Sequence, residues 1–143
     1  MSYSKVMSVE GPNGAIKGDL DDDKIGIIAF SHSVKSSQGK RQHGPIVVVK
    51  SIDKSTVQLF QALVQNQTLK KVHLSFLKDG SEFFTIDLEN AQVISVHHIK
   101  ETLPGESNLK MGEYEEVSFI YEKITWNHTD GDLSATDDWS KAQ

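Results

Sequence analysis

The sequence predicts an all-β protein with one helix, built as a small barrel or sandwich of two packed sheets. Segments of strand length in which apolar and polar residues alternate recur along the 143 residues. Only the segment from Ser55 to Asn66 combines helix length with helical spacing of its apolar residues. Because neither a repeat nor a low-complexity linker divides the chain, residues 1–143 are expected to form a single domain.

The helix from Ser55 to Asn66 is expected to flank the sheets. A β-branched strand precedes it and is opened by Pro45, which cannot donate to a strand ladder. Ser55 and Gln58 have the spacing of a capping box, and Asn66 tolerates the left-handed conformation that ends a helix. The apolar stripe that should cover a sheet consists of Val57, Phe60, Leu63 and Val64.

The first third of the chain predicts strands and a polar loop. One strand should run from Tyr3 to Glu10. A second, from Lys24 to Val34, is apolar on both faces where it begins, and Ser31 and Ser33 place small hydroxyls near its end. The polar segment from Lys35 to His43 is expected to be a loop.

The second half of the chain predicts a hairpin and a long final strand. Asp79-Gly80 supplies the positive φ angles of a two-residue turn between two alternating strands. Glu89-Asn90 is expected to turn the chain again. A loop from Leu103 to Gly112 then leads to a strand from Glu115 to Trp126 that is apolar on both faces.

Composition excludes several classes of protein. The net charge of −5 argues against nucleic acid as the main partner. No apolar run approaches the length that a bilayer-spanning helix needs, so membrane insertion is not expected. The amino terminus lacks the apolar core of an ordinary signal peptide, so any export would use a route that does not read one. The absence of cysteine excludes disulfides and thiolate catalysis.

The acidic and histidine-containing segments do not predict a metal site. An EF-hand loop starting at Asp19 would need glycine and glutamate where Lys24 and Phe30 stand. His97 and His98 are adjacent on a predicted strand, so they point to opposite faces and cannot share an ion. We therefore expect neither a metal nor another cofactor.

No catalytic motif is present in the sequence either. There is no nucleophile elbow and no zinc-binding His-Glu-x-x-His helix. The sequence therefore predicts a protein that is not an enzyme. A hydrolase whose site is assembled from distant residues, such as Ser31, His32 and Asp87, stays open as an alternative.

Segments spread over nearly the whole chain match one known pattern in the right order. They are Ile16-Lys17-Gly18, His43-Gly44-Pro45-Ile46, Val49 to Thr56, Leu88 to Val93, Glu115 to Trp126, and the acidic tail from Asp130 to Trp139. Together they resemble the Hcp family, the hemolysin-coregulated tube proteins of the bacterial type VI secretion system.

The resemblance implies a compact β-barrel with a flanking helix, six copies of which close into a hexameric ring. Rings of this family stack into an inner tube inside a contractile sheath, with a VgrG-type spike on top. Contraction expels the tube, which carries effector proteins in its lumen. The resemblance also implies a subunit that is made in the cytoplasm without a signal peptide and secreted to the extracellular space or a target cell.

Two groups of residues are candidates for these roles. Ser31 and Ser33 are interpreted as bordering the lumen, where they would meet cargo. Lys40, Arg41 and His43 are interpreted as ring-to-ring contacts, because the family uses this loop to seat one ring on the next. Plain exposure to solvent is the alternative for both groups.

The residue pattern itself also favours a ring. A strand that is apolar on both faces fits a barrel whose outer face is covered by a neighbouring copy. Head-to-tail contacts that close produce rings, and like rings can stack. The alternatives are a monomer whose helix and loops cover that face, and a monomeric barrel that binds a small ligand.

Overall fold

The computed structural model describes residues 3–99, 113–129 and 131–138. Most of these residues lie in strands, and the described part of the chain contains one α-helix, α1 (Ser55–Val64), and a 3-10 turn at Asp21–Asp23. The strands, in chain order, are β1 (Lys5–Gly11), β2 (Gly14–Ile16), β3 (Ile25–Gly26), β4 (Ala29–Ser31), β5 (Val34–Ser37), β6 (Lys40–His43), β7 (Ile46–Ser51), β8 (Leu69–Lys78), β9 (Ser81–Ile99), β10 (Tyr114–Ile120), β11 (Lys123–His128) and β12 (Leu133–Asp138).

Two antiparallel sheets share the long strand β9. In the first, sheet A, the order is β2-β1-β8-β9-β11-β12, and in the second, sheet B, it is β9-β10-β7-β4. The first half of β9 pairs with β8 and β11, and the half from Gln92 onward pairs with β10. The turn predicted at Glu89-Asn90 is therefore wrong: Asn90 has a φ of 52° but lies inside the strand, where β9 leaves one sheet and enters the other.

Residues 25–31 connect the two sheets on the side away from β9. β3 pairs with β1 in sheet A, and β4 pairs with β7 in sheet B. Between them, Ile27 N donates to Lys5 O and Ile28 N donates to Val49 O, at 3.0 and 2.7 Å. The ladder of strands is not closed here. The single strand predicted from Lys24 to Val34 is wrong, because the chain changes sheets within it.

The segment predicted as a loop from Lys35 to His43 is a hairpin instead. β5 and β6 pair with each other in a separate two-stranded sheet. Gln38 and Gly39 form its turn with φ angles of 53° and 78°, as a two-residue hairpin requires. At its base, Gly44 N donates to Ser33 O at 2.9 Å.

The final strand is also divided. The predicted strand from Glu115 to Trp126 is β10 and β11, separated by Tyr121 and Glu122. The polar residues after it form β12, which pairs with β11. The hairpin turn at Asp79-Gly80 is confirmed, with φ angles of 52° and 80°. The predicted loop from Leu103 to Gly112 lies outside the described residues.

The helix forms where it was predicted, and Asn66 follows it with the expected left-handed φ of 52°. The predicted capping box is wrong: Asp53 Oδ1 accepts from Ser55 N at 2.8 Å, while Gln58 bonds to the backbone of Lys17. The predicted stripe is only half right. Phe60 and Leu63 are partly covered, but Val57 and Val64 are 74% and 77% exposed, and the helix buries Leu59 and Ala62 instead.

The hydrophobic core fills the space between the sheets and under the helix. Its large, fully buried members come from both sheets, from β3 and from α1, and include Met7, Ile25, Ile46, Leu59, Leu88, Phe119 and Ile124. A barrel interior occupied by side chains leaves no room for a bound small molecule. The fold is therefore the predicted all-β arrangement of two packed sheets with one flanking helix.

Candidate functional site

Small side chains line the outer face of sheet B. Ser31 lies in a row with Val47, Ser118 and Ser95, which stand on β7, β10 and β9. The next row consists of Ala29, Val49, Glu116 and His97. Ile28, Ala29 and Ser31 are exposed in the subunit, so the segment predicted to be apolar on both faces is not buried on this side. The row of Ser31 is uncharged, and the next row carries the exposed Glu116 and His97 side chains.

Ser33 lies away from this face, at the base of the β5–β6 hairpin. Its backbone oxygen accepts from Gly44 N, and its side chain is exposed. A Cβ atom on Gly44 would lie 3.1 Å from Ser33 O, so glycine permits the close approach of the two chain segments. The two serines that the sequence paired therefore occupy different surroundings.

The two faces of the β5–β6 hairpin differ in what they contact. Lys35 pairs in register with Gln42, and Lys40 pairs with Ser37, so both lysines share one face. Arg41 and His43 are on the other face, where both bind the Asp137 carboxylate. Lys35 and Lys40 are exposed, whereas the His43 side chain is only 3% exposed.

A polar cluster holds the inner face of the hairpin. His43 Nε2 lies 2.6 Å from Asp137 Oδ2, and His43 Nδ1 lies 2.8 Å from the Tyr121 hydroxyl. His32 Nε2 lies 2.8 Å from the same hydroxyl, and Arg41 Nε donates to Asp137. We call these residues, His32, Arg41, His43, Tyr121 and Asp137, the Tyr121 cluster. It joins β6 to β12 and to the connection between β10 and β11.

One arrangement of protons satisfies the links of the Tyr121 cluster. If Asp137 is ionised, it accepts from His43 Nε2–H, which leaves His43 Nδ1 as an acceptor. Tyr121 can then donate its hydroxyl proton to His43 Nδ1 while its oxygen accepts from His32 Nε2–H. Both histidines are neutral in this arrangement.

The surroundings shift three pKa values in directions that favour a neutral His32, a protonated Tyr121 and an ionised Asp137. Burial, and then the charge of His43, lower the pKa of His32. Burial, and then the negative charge of Asp137, raise the pKa of Tyr121, so the phenol keeps its proton. Burial alone would raise the pKa of Asp137, but hydrogen bonds from His43 and Arg41, together with their charges, lower it.

A second polar cluster joins the helix to sheet B. Lys50 on β7 and Glu115 on β10 are direct neighbours in register, and both side chains are fully buried. Lys50 Nζ also lies 3.0 Å from Asp53 Oδ1, and Thr56 Oγ1 donates to Glu115 Oε2 at 2.8 Å. His98 Nε2 lies 3.1 Å from the other carboxylate oxygen. The cluster fixes the beginning of α1 on the sheet.

The outer face of sheet A is polar and balanced in charge. One row across five strands alternates in sign and consists of Glu10, Lys71, Glu89, Lys123 and Asp138. In the neighbouring row, His73 Nδ1 lies 2.5 Å from Asp87 Oδ1. A face of this composition suits contact with water.

The structure places His97 and His98 on opposite faces of sheet B. His97 contacts Glu116 on the outer face of sheet B, and His98 contacts Glu115 on the inner face, which confirms that they point in opposite directions. Ser31, His32 and Asp87 do not form a hydrolase site, because Asp87 pairs with His73 in sheet A and His32 binds Tyr121. Within residues 3–99, 113–129 and 131–138, no group of three His, Asp or Glu side chains is placed to hold a metal ion. Over the same residues, no helix is long and apolar enough to cross a membrane.

Local spacing does not predict the Tyr121 cluster. Tyr121 and Asp137 lie 78 and 94 residues after His43, so no local spacing relates them. A weak signal for the second cluster existed: Lys50 and Glu115 occupy inward positions of strands that otherwise bury apolar residues. A charge at such a position requires a buried partner.

The sequence of this chain matches a known protein family. A family model described as "Type VI secretion system effector, Hcp" matches residues 6–128. The "Major exported protein" of Pseudomonas aeruginosa is 29% identical over 131 residues, covering 82% of this chain and 76% of that protein.

Solved structures agree with this match. The Hcp1 protein from E. coli EAEC 042 superposes with a TM-score of 0.84 at 29% identity, covering 94% of this chain and 98% of that one. Secreted protein Hcp3 from Pseudomonas aeruginosa superposes with a TM-score of 0.81 at 25% identity, covering 96% and 99%. The alternative of a small-ligand barrel is not supported by these matches or by the filled interior.

Hcp proteins are exported structural proteins that assemble into rings and tubes, and they are not a known family of enzymes. The match covers the helix, the β5–β6 hairpin and the strands of both sheets except β12, which follows it. The chain therefore belongs to the Hcp family and is a tube subunit of the type VI secretion system.

Proposed function

We propose that six copies of this chain close into a ring, that the rings stack head to tail into the inner tube, and that the lumen carries effector proteins. The observation that carries this proposal is the β5–β6 hairpin. The hairpin pairs with neither main sheet. Arg41 and His43 on one face bind Asp137 of the barrel, and Lys35 and Lys40 are presented on the other face. A projecting, anchored element of this kind suits contact with a neighbouring ring.

The lumen assignment rests on the outer face of sheet B. Ser31 lies there among small or neutral side chains, which leave space for a folded cargo protein and offer no strong charge to repel one. We place Ser31 on the lumen wall. Ser33, at the base of the hairpin, would lie at the rim of the lumen rather than on its wall.

The stacking assignment divides its three candidates into two roles. Lys40, with Lys35, would contact the next ring directly, because both are exposed on the free face of the hairpin. Arg41 and His43 would act through the hairpin, since both bind Asp137 of their own subunit. The proposal thus keeps all three residues in ring stacking but gives only Lys40 a direct contact.

The charge distribution supports a head-to-tail stack. The hairpin comes directly before β7 in the chain. The acidic turn Asp21–Asp23 lies near the other end of β7, because the neighbouring Asp19 Oδ1 accepts from Lys54 N, three residues after β7, at 3.2 Å. A six-residue strand spans about 20 Å, so cationic and acidic groups lie at opposite ends of β7. Rings stacked in one direction would then bring opposite charges together.

The remaining partners follow from family membership. The tube would lie inside a contractile sheath and carry a VgrG-type spike at its tip. The subunit would be made in the cytoplasm without a signal peptide and leave the cell through the type VI system, without catalytic activity, cofactor, nucleic acid or membrane insertion.

Negative-stain electron microscopy combined with analytical ultracentrifugation tests the assembly. We expect rings with a central hole and, at higher protein concentration, short stacks of them. Particles with the 15.9 kDa mass of one subunit at every concentration would contradict the proposal.

A further inference from the structure

We propose that the Tyr121 cluster is a positioning device that sets the angle of the β5–β6 hairpin and so prepares its lysine face for the next ring. The inference rests on the proposed role of the hairpin in stacking. It concerns His43, Tyr121 and Asp137 in particular, none of which would touch the neighbouring ring.

Apart from the Tyr121 cluster, few contacts orient the β5–β6 hairpin relative to the barrel. β5 and β6 pair only with each other among the described strands, and the residues of β5 are exposed. An isolated two-stranded hairpin is marginally stable in water. The bond between Gly44 N and Ser33 O joins the two arms at their base and does not attach them to the barrel, so the base can act as a pivot.

The Tyr121 cluster supplies the second point of support. His43 is the last residue of β6, and its ring is covered between the Tyr121 hydroxyl and the Asp137 carboxylate. Arg41, two residues earlier on the same face, binds the same carboxylate. Two successive inward side chains of β6 are thereby attached to β12, which fixes both the position and the tilt of the strand.

The cluster also makes the two histidines dependent on each other. Tyr121 has one hydroxyl proton and contacts both His32 and His43. When one ring gains a proton, the hydroxyl must turn away from it, and Gly44 O at 3.4 Å offers another acceptor. Protonating both rings places two cations on one phenol oxygen, with Arg41 nearby and Asp137 as the balancing anion.

The experiment compares Tyr121→Phe and Asp137→Asn with matched controls. Tyr114→Phe removes a hydroxyl from β10, and Asp132→Asn neutralises an exposed carboxylate just before β12. Hydrogen exchange is followed by NMR or mass spectrometry at the hairpin amides and at the β9–β10 amides. The His32 ring signal is titrated in the same samples.

We expect hairpin amides to exchange about five- to tenfold faster in Tyr121→Phe and Asp137→Asn, with the β9–β10 amides unchanged. In Tyr121→Phe the pKa of His32 should change, because its hydrogen bond to the hydroxyl is lost, whereas both controls should keep the value of the unmodified protein. Rings should still form, but stacks should be shorter.

Several results would overturn the proposal. Unchanged hairpin exchange in both variants would show that something else orients the hairpin. Equal acceleration in the hairpin and in β9–β10 would show a general loss of stability instead. If the hairpin loosens as expected but stacks keep their length, the cluster positions a hairpin that does not stack rings, and the stacking role fails separately.

Discussion

Lys50 and Glu115 lie opposite each other on β7 and β10 and form an ion pair that is completely buried. Each charge depends on the other, because an unpaired charge in this position would be removed from water without compensation. Asp53 and Thr56 add contacts from the beginning of α1. The pair therefore attaches the helix to sheet B as well as joining two strands.

Replacing Lys50 by methionine should lower the free energy of unfolding by about 3–5 kcal/mol, because it leaves the Glu115 carboxylate buried without its cation. Urea denaturation measures the change. Lys54→Met, which changes an exposed lysine four residues later, should stay within about 0.5 kcal/mol of the unmodified protein. The double variant Lys50→Met/Glu115→Leu should recover most of the loss. A single variant as stable as the Lys54→Met control would refute the account.

Stability should decrease on acidification because of His32. Its pKa in the folded chain lies below the ordinary value of 6.5, so the unfolded chain binds the proton more readily. The contribution of His32 is fully present above pH 6.5 and is lost as the pH falls from 6.5 towards the folded pKa. Urea midpoints measured between pH 7.5 and 5 should therefore fall less steeply in His32→Gln than in the unmodified protein. Parallel pH profiles would argue against this assignment.

A larger side chain at Ser31 should weaken cargo retention without dissolving the ring. Ser31→Gln adds bulk to a row of small residues on the outer face of sheet B. Co-purification of an effector with the ring measures retention, and electron microscopy checks the ring. Ser134→Gln makes the same change on the outer face of sheet A and should leave retention unchanged. Equal retention by both variants would remove Ser31 from the lumen wall.

Reversing the charge of the free hairpin face should shorten tubes and spare single rings. Lys35→Glu/Lys40→Glu places negative charge where the acidic turn of the next ring is expected, and like charges in contact repel. Lys78→Glu, at the end of β8, is the matched control. Stack length is counted in electron micrographs.

A compensating change tests the orientation of the stack. Adding Asp21→Lys to the double hairpin variant should restore part of the stack length, because it reduces the negative charge that the acidic turn presents to the negative hairpin. Restoration should weaken as salt is added. Long stacks in the uncompensated variant would show that the hairpin lysines do not join rings.

The sequence predicted the elements whose signals are local. Asp79-Gly80 between alternating strands and the helix beginning at Ser55 both formed where expected. The helix face was misjudged because spacing alone cannot say which side meets the core. Here Thr56, buried against Glu115, rotates Val57 outward.

The errors occurred where tertiary contacts override composition. The β5–β6 hairpin and β12 are built from polar residues, so neither has the apolar alternation of a half-buried strand. Gln38-Gly39 was the local sign of a turn in the first case. The Tyr121 cluster could not be predicted from spacing, because it forms only after β6, β12 and the β10–β11 connection have come together.

β9 runs without interruption from one wall of the barrel into the other. Unfolding of either sheet would therefore disrupt β9, which is also a strand of the other sheet. We therefore expect the two sheets of the subunit to unfold under force in a single step, without an intermediate in which only one of them is unfolded. A tube subunit with this property would either keep its folded shape under load or lose it completely.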